Sequence, residues 1–327
     1  MDHCKSSKRT DWLIAAGILC AISIVKFYPV LFDDYSILHG DALDHHSLAV
    51  QTLLSETLKN GQIPLWSRYL YGGHPVFAEG QGGFAYPINL ILFSFFETLW
   101  AHNFLLFLLS LLTGVGMFGL CRKWNLSLPA SVFGALALTY SESWIGMTYN
   151  ACFYQTMAWI PFTLMAMECW WEKPSLGNVV FFAVSFSQVI LGGYQPAVHG
   201  LLFFIIVVVL TRGLPKLARG QWHDVRRYFL TGSVAALLCV GLTAIQILPL
   251  LELIQYSVRK DSIELLGSAS HWSFLKGLLI GLKESRQLGL EVGNIGLGSS
   301  LVVSATLMGL MFRFDVVVHA VRLFDKL

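Results

Sequence analysis

The chain is 327 residues long, 55% apolar and 13% charged, with a mean hydropathy of +0.61. A soluble domain usually carries about 25% charged residues, so a water-soluble fold is excluded for the chain as a whole. The formal net charge is +2, and there is no basic face interleaved with aromatics, so nucleic acid is not an expected partner.

Repeated apolar runs near twenty residues long are the mark of transmembrane helices. The first covers 12–32, after Lys5, Lys8 and Arg9. Asp33-Asp34-Tyr35 follows it where a small-residue cleavage site would be needed, so it reads as a retained anchor rather than a signal peptide. Lys26 interrupts it near the far end and is expected to snorkel to the interface. Further spans are predicted at 101–120, 129–145, 155–171, 178–191, 197–210, 229–251 and 295–312, which makes about eight. The expectation is an all-α polytopic membrane protein forming a single transmembrane domain.

With a cytoplasmic N-terminus, this threading leaves fourteen Lys and Arg residues on the inner side and seven on the outer. That asymmetry follows the positive-inside rule and puts the C-terminus inside as well. It also puts the loop 33–100 outside. This loop holds His39, His45, His46 and His74, a group of carboxylates and many glycines. Asp44 is placed to cap a helix over 45–59, with Leu48, Leu54 and Leu58 on one stripe and Gly61 stopping it. A second short helix is expected over 86–96. Both are too short to span, and both are read as interfacial or re-entrant. Between them, Trp66-Ser-Arg-Tyr-Leu-Tyr-Gly-Gly-His-Pro reads as a tight aromatic loop at headgroup level, with Ser67 expected to face water.

Several other signals lead nowhere further. Cys4, Cys20, Cys121, Cys169 and Cys239 fall in spans or on the inner side, and no disulfide framework is expected. Asn125-Leu-Ser matches a glycosylation sequon but is threaded inside. Gly114, Gly116 and Gly119 are placed to let helices approach closely. The glycine-rich stretch 289–298 has neither a P-loop lysine nor a preceding strand. Asp41 and His45 lie four residues apart with other histidines nearby, but without the fixed spacing of a metal motif; a divalent cation is not indicated and the cofactor stays unknown.

The runs GDALDHH and LKNGQIPLWSRYLYGGHPVFAEGQGGFAYPINLILF resemble the opening loop of the YfhO-type bacterial membrane proteins. AWIPFTLMAM at 158–167, GGYQP at 192–196 and Ser257-Val-Arg259 carry the resemblance further, and it weakens after Arg259. That family is similar in layout to the GT-C glycosyltransferases, which have two interfacial helices in the first outer loop. The resemblance implies transfer of a sugar from a polyprenyl-phosphate donor to a cell-envelope acceptor on the outer face. Such a reaction needs a base for the acceptor hydroxyl and cations for the departing phosphate. By the resemblance the base is an acid of the first outer loop, Asp41 first and Asp44 second. Arg68 and Arg259 are the candidate phosphate partners. His74, Glu142 and Gln195 are candidate substrate contacts, with Tyr149, Asn150 and Gln155 at the same outer turn.

Members of that family are generally longer, so the chain is expected to be either an interrupted version or a minimal one that keeps the N-terminal module. The rival reading is a non-catalytic membrane protein: a transporter or flippase for lipid-linked envelope precursors, or an assembly partner. A transporter would place ionisable groups at mid-membrane depth on broken helices; here Lys26 alone lies near such depth.

Overall fold

The computed structural model describes residues 2–33, 47–70, 72–141, 144 and 150–256. Asp41, Asp44, Glu142, Arg259, the histidine group His39, His45 and His46, and the eighth predicted span all lie outside these residues. Among the described residues the chain is all-helical, with one isolated antiparallel bridge between Ser67 and His74.

The helices are α1 (Asp2–Phe32), α2 (Leu48–Lys59), α3 (Val76–Glu79), α4 (Pro87–Phe95), α5 (Thr98–Lys123) and α6 (Leu128–Thr139). They continue as α7 (Ala151–Ala158), α8 (Ile160–Glu172), α9 (Leu176–Leu191), α10 (Gln195–Ala218) and α11 (Trp222–Gln255). Four are long and apolar enough to cross a membrane: α1 from Thr10, α5, α10 and α11. The 12-residue α6 and the 16-residue α9 are apolar but shorter, about 18 and 24 Å at 1.5 Å per residue. The predicted span at 155–171 is broken. Pro161 has no N–H to give the carbonyl four residues back, so the helix ladder is interrupted at Trp159 and resumes as α8.

α5 is the central post. It packs against α1, α6, α7 and α8, and its flanks are buried nearly all round, as expected of a helix with no polar stripe. Its glycines make this possible. A Cβ at Gly116 would stand 2.7 Å from the Phe162 ring, and one at Gly119 would stand 2.7 Å from Met165 Sδ. The close approach expected at these glycines is therefore present. Gly116→Leu is expected to destabilise the protein by about 1–3 kcal/mol through overpacking, read as a lower midpoint of thermal unfolding in detergent; an unchanged midpoint would show that α8 is not held here.

Both ends of α5 are fixed by specific caps. Glu97 Oε2 accepts from Trp100 N–H at 2.9 Å, and backbone N–H groups of Trp100 and then Leu99 hold its carboxyl below the usual range. Because the folded value is lowered, this cap is fully formed above the ordinary glutamate range and is lost as pH falls through the lowered value. At the other end Asn125 takes a left-handed conformation, φ 60°. Asn125 N–H donates to Arg122 O and Leu126 N–H to Cys121 O, both at 3.1 Å, which is a Schellman closure. The asparagine of the sequon thus serves as a helix terminator.

Ion pairs gather at that same end of the bundle. Arg122 bonds Asp11 at 2.8 Å, Lys123 bonds Glu172, and Arg212 makes two bonds to Glu168 at 2.9 and 2.7 Å. They tie the start of α1 to the ends of α5, α8 and α10. The opposite end carries the loop 47–97, the start of α5 and the ends of α9 and α11. Among the described residues, most Lys and Arg residues therefore lie at one end of the bundle and the loop at the other. Lys26, near the loop-bearing end of α1, holds its ammonium 5.5 Å from the Tyr140 ring centroid.

Candidate functional site at the loop-bearing end

The described part of the first loop starts with α2. Gly61 (φ 70°) ends it as the sequence predicts: Gly61 N–H donates to Leu58 O and Gln62 N–H to Thr57 O, both at 2.9 Å. The buried face of α2 is Val50, Gln51, Leu54 and Ser55, with Leu58 at its margin. This differs from the purely apolar stripe read from the sequence. Ser55 Oγ donates to Phe93 O at 3.1 Å, and His102 Nδ1 pairs with Gln51 Oε1 at 2.8 Å. α2 is therefore bonded to α4 and α5.

The aromatic loop is a small hairpin. Ser67 and His74 exchange both backbone bonds, at 2.8 and 2.9 Å, across a turn that uses Gly72 and Gly73. A Cβ on Gly73 would lie 2.9 Å from the Trp66 ring, so the glycine lets indole and backbone stack. Ser67 is 1% exposed, and its Oγ accepts from Tyr69 and Leu70 N–H at 3.2 and 3.4 Å. This corrects the expectation that Ser67 faces water. Tyr69, 87% exposed, and Trp66, Ile63 and Leu65 occupy the outer surface. Arg68 is exposed beside them.

His74 Nε2 lies 3.2 Å from Glu79 Oε2, and both side chains are half-buried. Glu79 ends α3, just before Gly80 (φ 82°) turns the chain inward. Residues 76–83 then dock on three elements. Gln246 of α11 donates from Nε2 to Phe77 O at 2.8 Å. Gly80 and Gln81 lie against Gly193, where a Cβ would be 2.4 Å from Gly80 O. Gln155 of α7 donates to Asn89 Oδ1 at 2.9 Å, and Asn89 Nδ2 donates to Gly83 O at 3.1 Å. Gln195, at the start of α10, has its Nε2 3.9 Å from where a Gly80 Cβ would be.

This cluster of amides from α4, α7, α10 and α11 is neutral, and three of its members are fully buried. Gln155 Oε1 and Gln246 Oε1 have no hydrogen-bond partner among the described residues. Alongside it, Tyr86 is completely buried and accepts from Trp159 Nε1 at 2.7 Å; burial pushes its phenol well above the usual tyrosine range. Nothing in this array donates or removes a proton near neutrality. Its chemical capacity is to position the loop and to hydrogen-bond uncharged polar groups, while the ionisable members of the described site are His74, Glu79 and Arg68.

Of the predicted site residues, His74 and Gln195 are brought to the same docking region, and Arg68 to its exposed hairpin. Glu79, Asn89 and Gln246 were not singled out from the sequence. The pairing of Glu79 with His74 follows from the hairpin register, and Asn89 and Gln246 each stand as an isolated amide within apolar surroundings. Gln246→Leu should leave Phe77 O without its donor, at a cost of about 1–3 kcal/mol, and should speed proteolysis within residues 76–83; unchanged cleavage would separate α11 from the loop's support.

No family model matches the chain, and neither does any curated protein or solved structure. The geometry stands on its own.

Proposed function

We propose that the chain is a membrane glycosyltransferase of GT-C type, taking a sugar from a polyprenyl-phosphate donor to a cell-envelope acceptor at the loop-bearing face, with Asp41 as base. The observation that carries the reading is the layout of the first loop. Among the described residues, the short helices α2, α3 and α4 and an aromatic hairpin are packed onto one end of the bundle, and most of the Lys and Arg residues lie at the other end. Exposed Ile63, Leu65, Trp66 and Tyr69 suit a headgroup-level surface, where a lipid-borne substrate would present its phosphate.

Arg68 is exposed on that hairpin and is the described cation best placed to meet a phosphate. Asp41 and Asp44 precede α2 in the sequence and are the acids this reading assigns to the acceptor hydroxyl. Gln195, half-buried at the start of α10, suits a hydroxyl of a sugar. Purified protein given a set of polyprenyl-phosphate hexoses should release polyprenyl phosphate when an acceptor extract is added. No release from any donor, with folding intact, would count against the reading and favour a non-catalytic role.

A further inference from the structure

An apolar cavity of about 640 Å³ runs between α8, α9, α10 and α11. Its walls include Trp170, Phe182, Phe186, Ile205, Val209 and Ala236. Along α11 the lining extends from Val225 to Ile247; at 1.5 Å per residue that is about 33 Å, the depth of a bilayer's hydrocarbon core. The cavity lining is apolar along this length, which suits a hydrocarbon chain.

One end of the groove is charged. Lys216 is the single charged residue among those lining it. Its ammonium lies 4.9 Å from the Tyr228 ring centroid and 5.9 Å from that of Trp171. Those rings are stacked 4.8 Å apart at 13°, and Tyr228 OH donates to Trp171 O at 2.8 Å, so the floor beneath the lysine is fixed. Asp224 Oδ2 stands 4.0 Å away, a loose pair whose carboxylate is half exposed. Residues 211–230 hold Arg212, Lys216, Arg219, Arg226 and Arg227 against the single acid Asp224. Arg212 is already committed to Glu168 by two bonds. The mouth of the groove therefore keeps an excess of positive charge, which is complementary to an anionic head on an apolar tail.

We infer that this groove holds one acyl chain of an anionic glycerophospholipid, its phosphate seated against Lys216 at the basic end of the bundle. The site is separate from the loop-bearing face and rests on the membrane reading, not on sugar transfer. The phosphate and the lysine replace a weakly held carboxylate contact, and the chain covers the half of the groove nearer Lys216.

The test is thermal unfolding of the full chain, purified in detergent and stripped of lipid, after addition of dioleoyl phosphatidylglycerol or dioleoyl phosphatidylcholine. The anionic lipid should raise the midpoint by several degrees more than the zwitterionic one. Lys216→Gln should erase that difference and Lys216→Arg should keep it, while Gly232→Leu, which puts a side chain into the groove, should blunt the response to both lipids. Equal shifts from the two lipids, or an undiminished difference in Lys216→Gln, would overturn the assignment. So would ready disulfide formation between Ala236→Cys and Ser304→Cys in an otherwise cysteine-free chain, because the groove would then be covered by the protein itself.

Discussion

Asp41→Asn is expected to lower sugar transfer by about a hundredfold or more while leaving insertion and folding intact. A positioned general base contributes roughly 10²–10⁴ in rate. Asparagine keeps the shape and polarity of the side chain but takes no proton from an acceptor hydroxyl. Asp44 separates chemistry from helix capping, because asparagine caps a helix about as well as aspartate. If Asp44 serves only as the cap before α2, Asp44→Asn should retain both stability and activity. The measurement is donor turnover by each purified variant, alongside its unfolding midpoint. Full activity in Asp41→Asn would remove Asp41 from the role; equal loss in both variants would point to a shared site.

The second large effect is structural. Gly193 has φ 92°, and a Cβ there would lie 2.4 Å from Gly80 O. Forcing an L side chain into that region costs about 1–2 kcal/mol, and the overlap with backbone adds about 1–3 kcal/mol. The overlap cannot be relieved by a rotamer change, because the nearest atom belongs to the main chain of the docked loop. Gly193→Val should therefore lower the unfolding midpoint strongly and free residues 76–83 for proteolysis. Gly177→Ala is the control, since nothing lies within 4 Å of a Cβ there. Wild-type stability and cleavage in Gly193→Val would mean that the loop does not rest on this turn.

The long helices were legible because their apolar runs exceed a membrane's thickness and few charges interrupt them. Their ends were less so. The sequence places the end of α10 near Leu210, yet the helix continues to Ala218. Arg212 breaks the apolar run but not the helix, since Glu168 takes up its charge. In the same way α11 begins at Trp222, several residues before the apolar run that marks the span. α6 is shorter than its apolar run: it ends at Thr139, where Tyr140 closes the helix and meets Ser23 Oγ at 2.6 Å.

At the site, local signals were readable and distant pairings were not. Gly61 and the Gly72-Gly73 turn act as their composition implies, because a positive φ is a property of the residue itself. Ser67 was misread as exposed: its burial depends on a hairpin register that only the fold sets. Gln155 was placed at an outer turn beside Asn150. Asn150 does cap α7, with Phe153 N–H donating to Oδ1 at 3.0 Å, whereas Gln155 turns inward to Asn89, 66 residues away. No spacing rule links such isolated amides in apolar segments.

The account turns on which side of the membrane the docked loop faces. In a cysteine-free chain, Tyr69→Cys places a thiol on the most exposed part of the hairpin, and Arg226→Cys places one at the basic end. An impermeant maleimide added to intact cells should label the cysteine at 69 and reach that at 226 only after permeabilisation. The reverse pattern would put the loop in the cytosol and contradict the account.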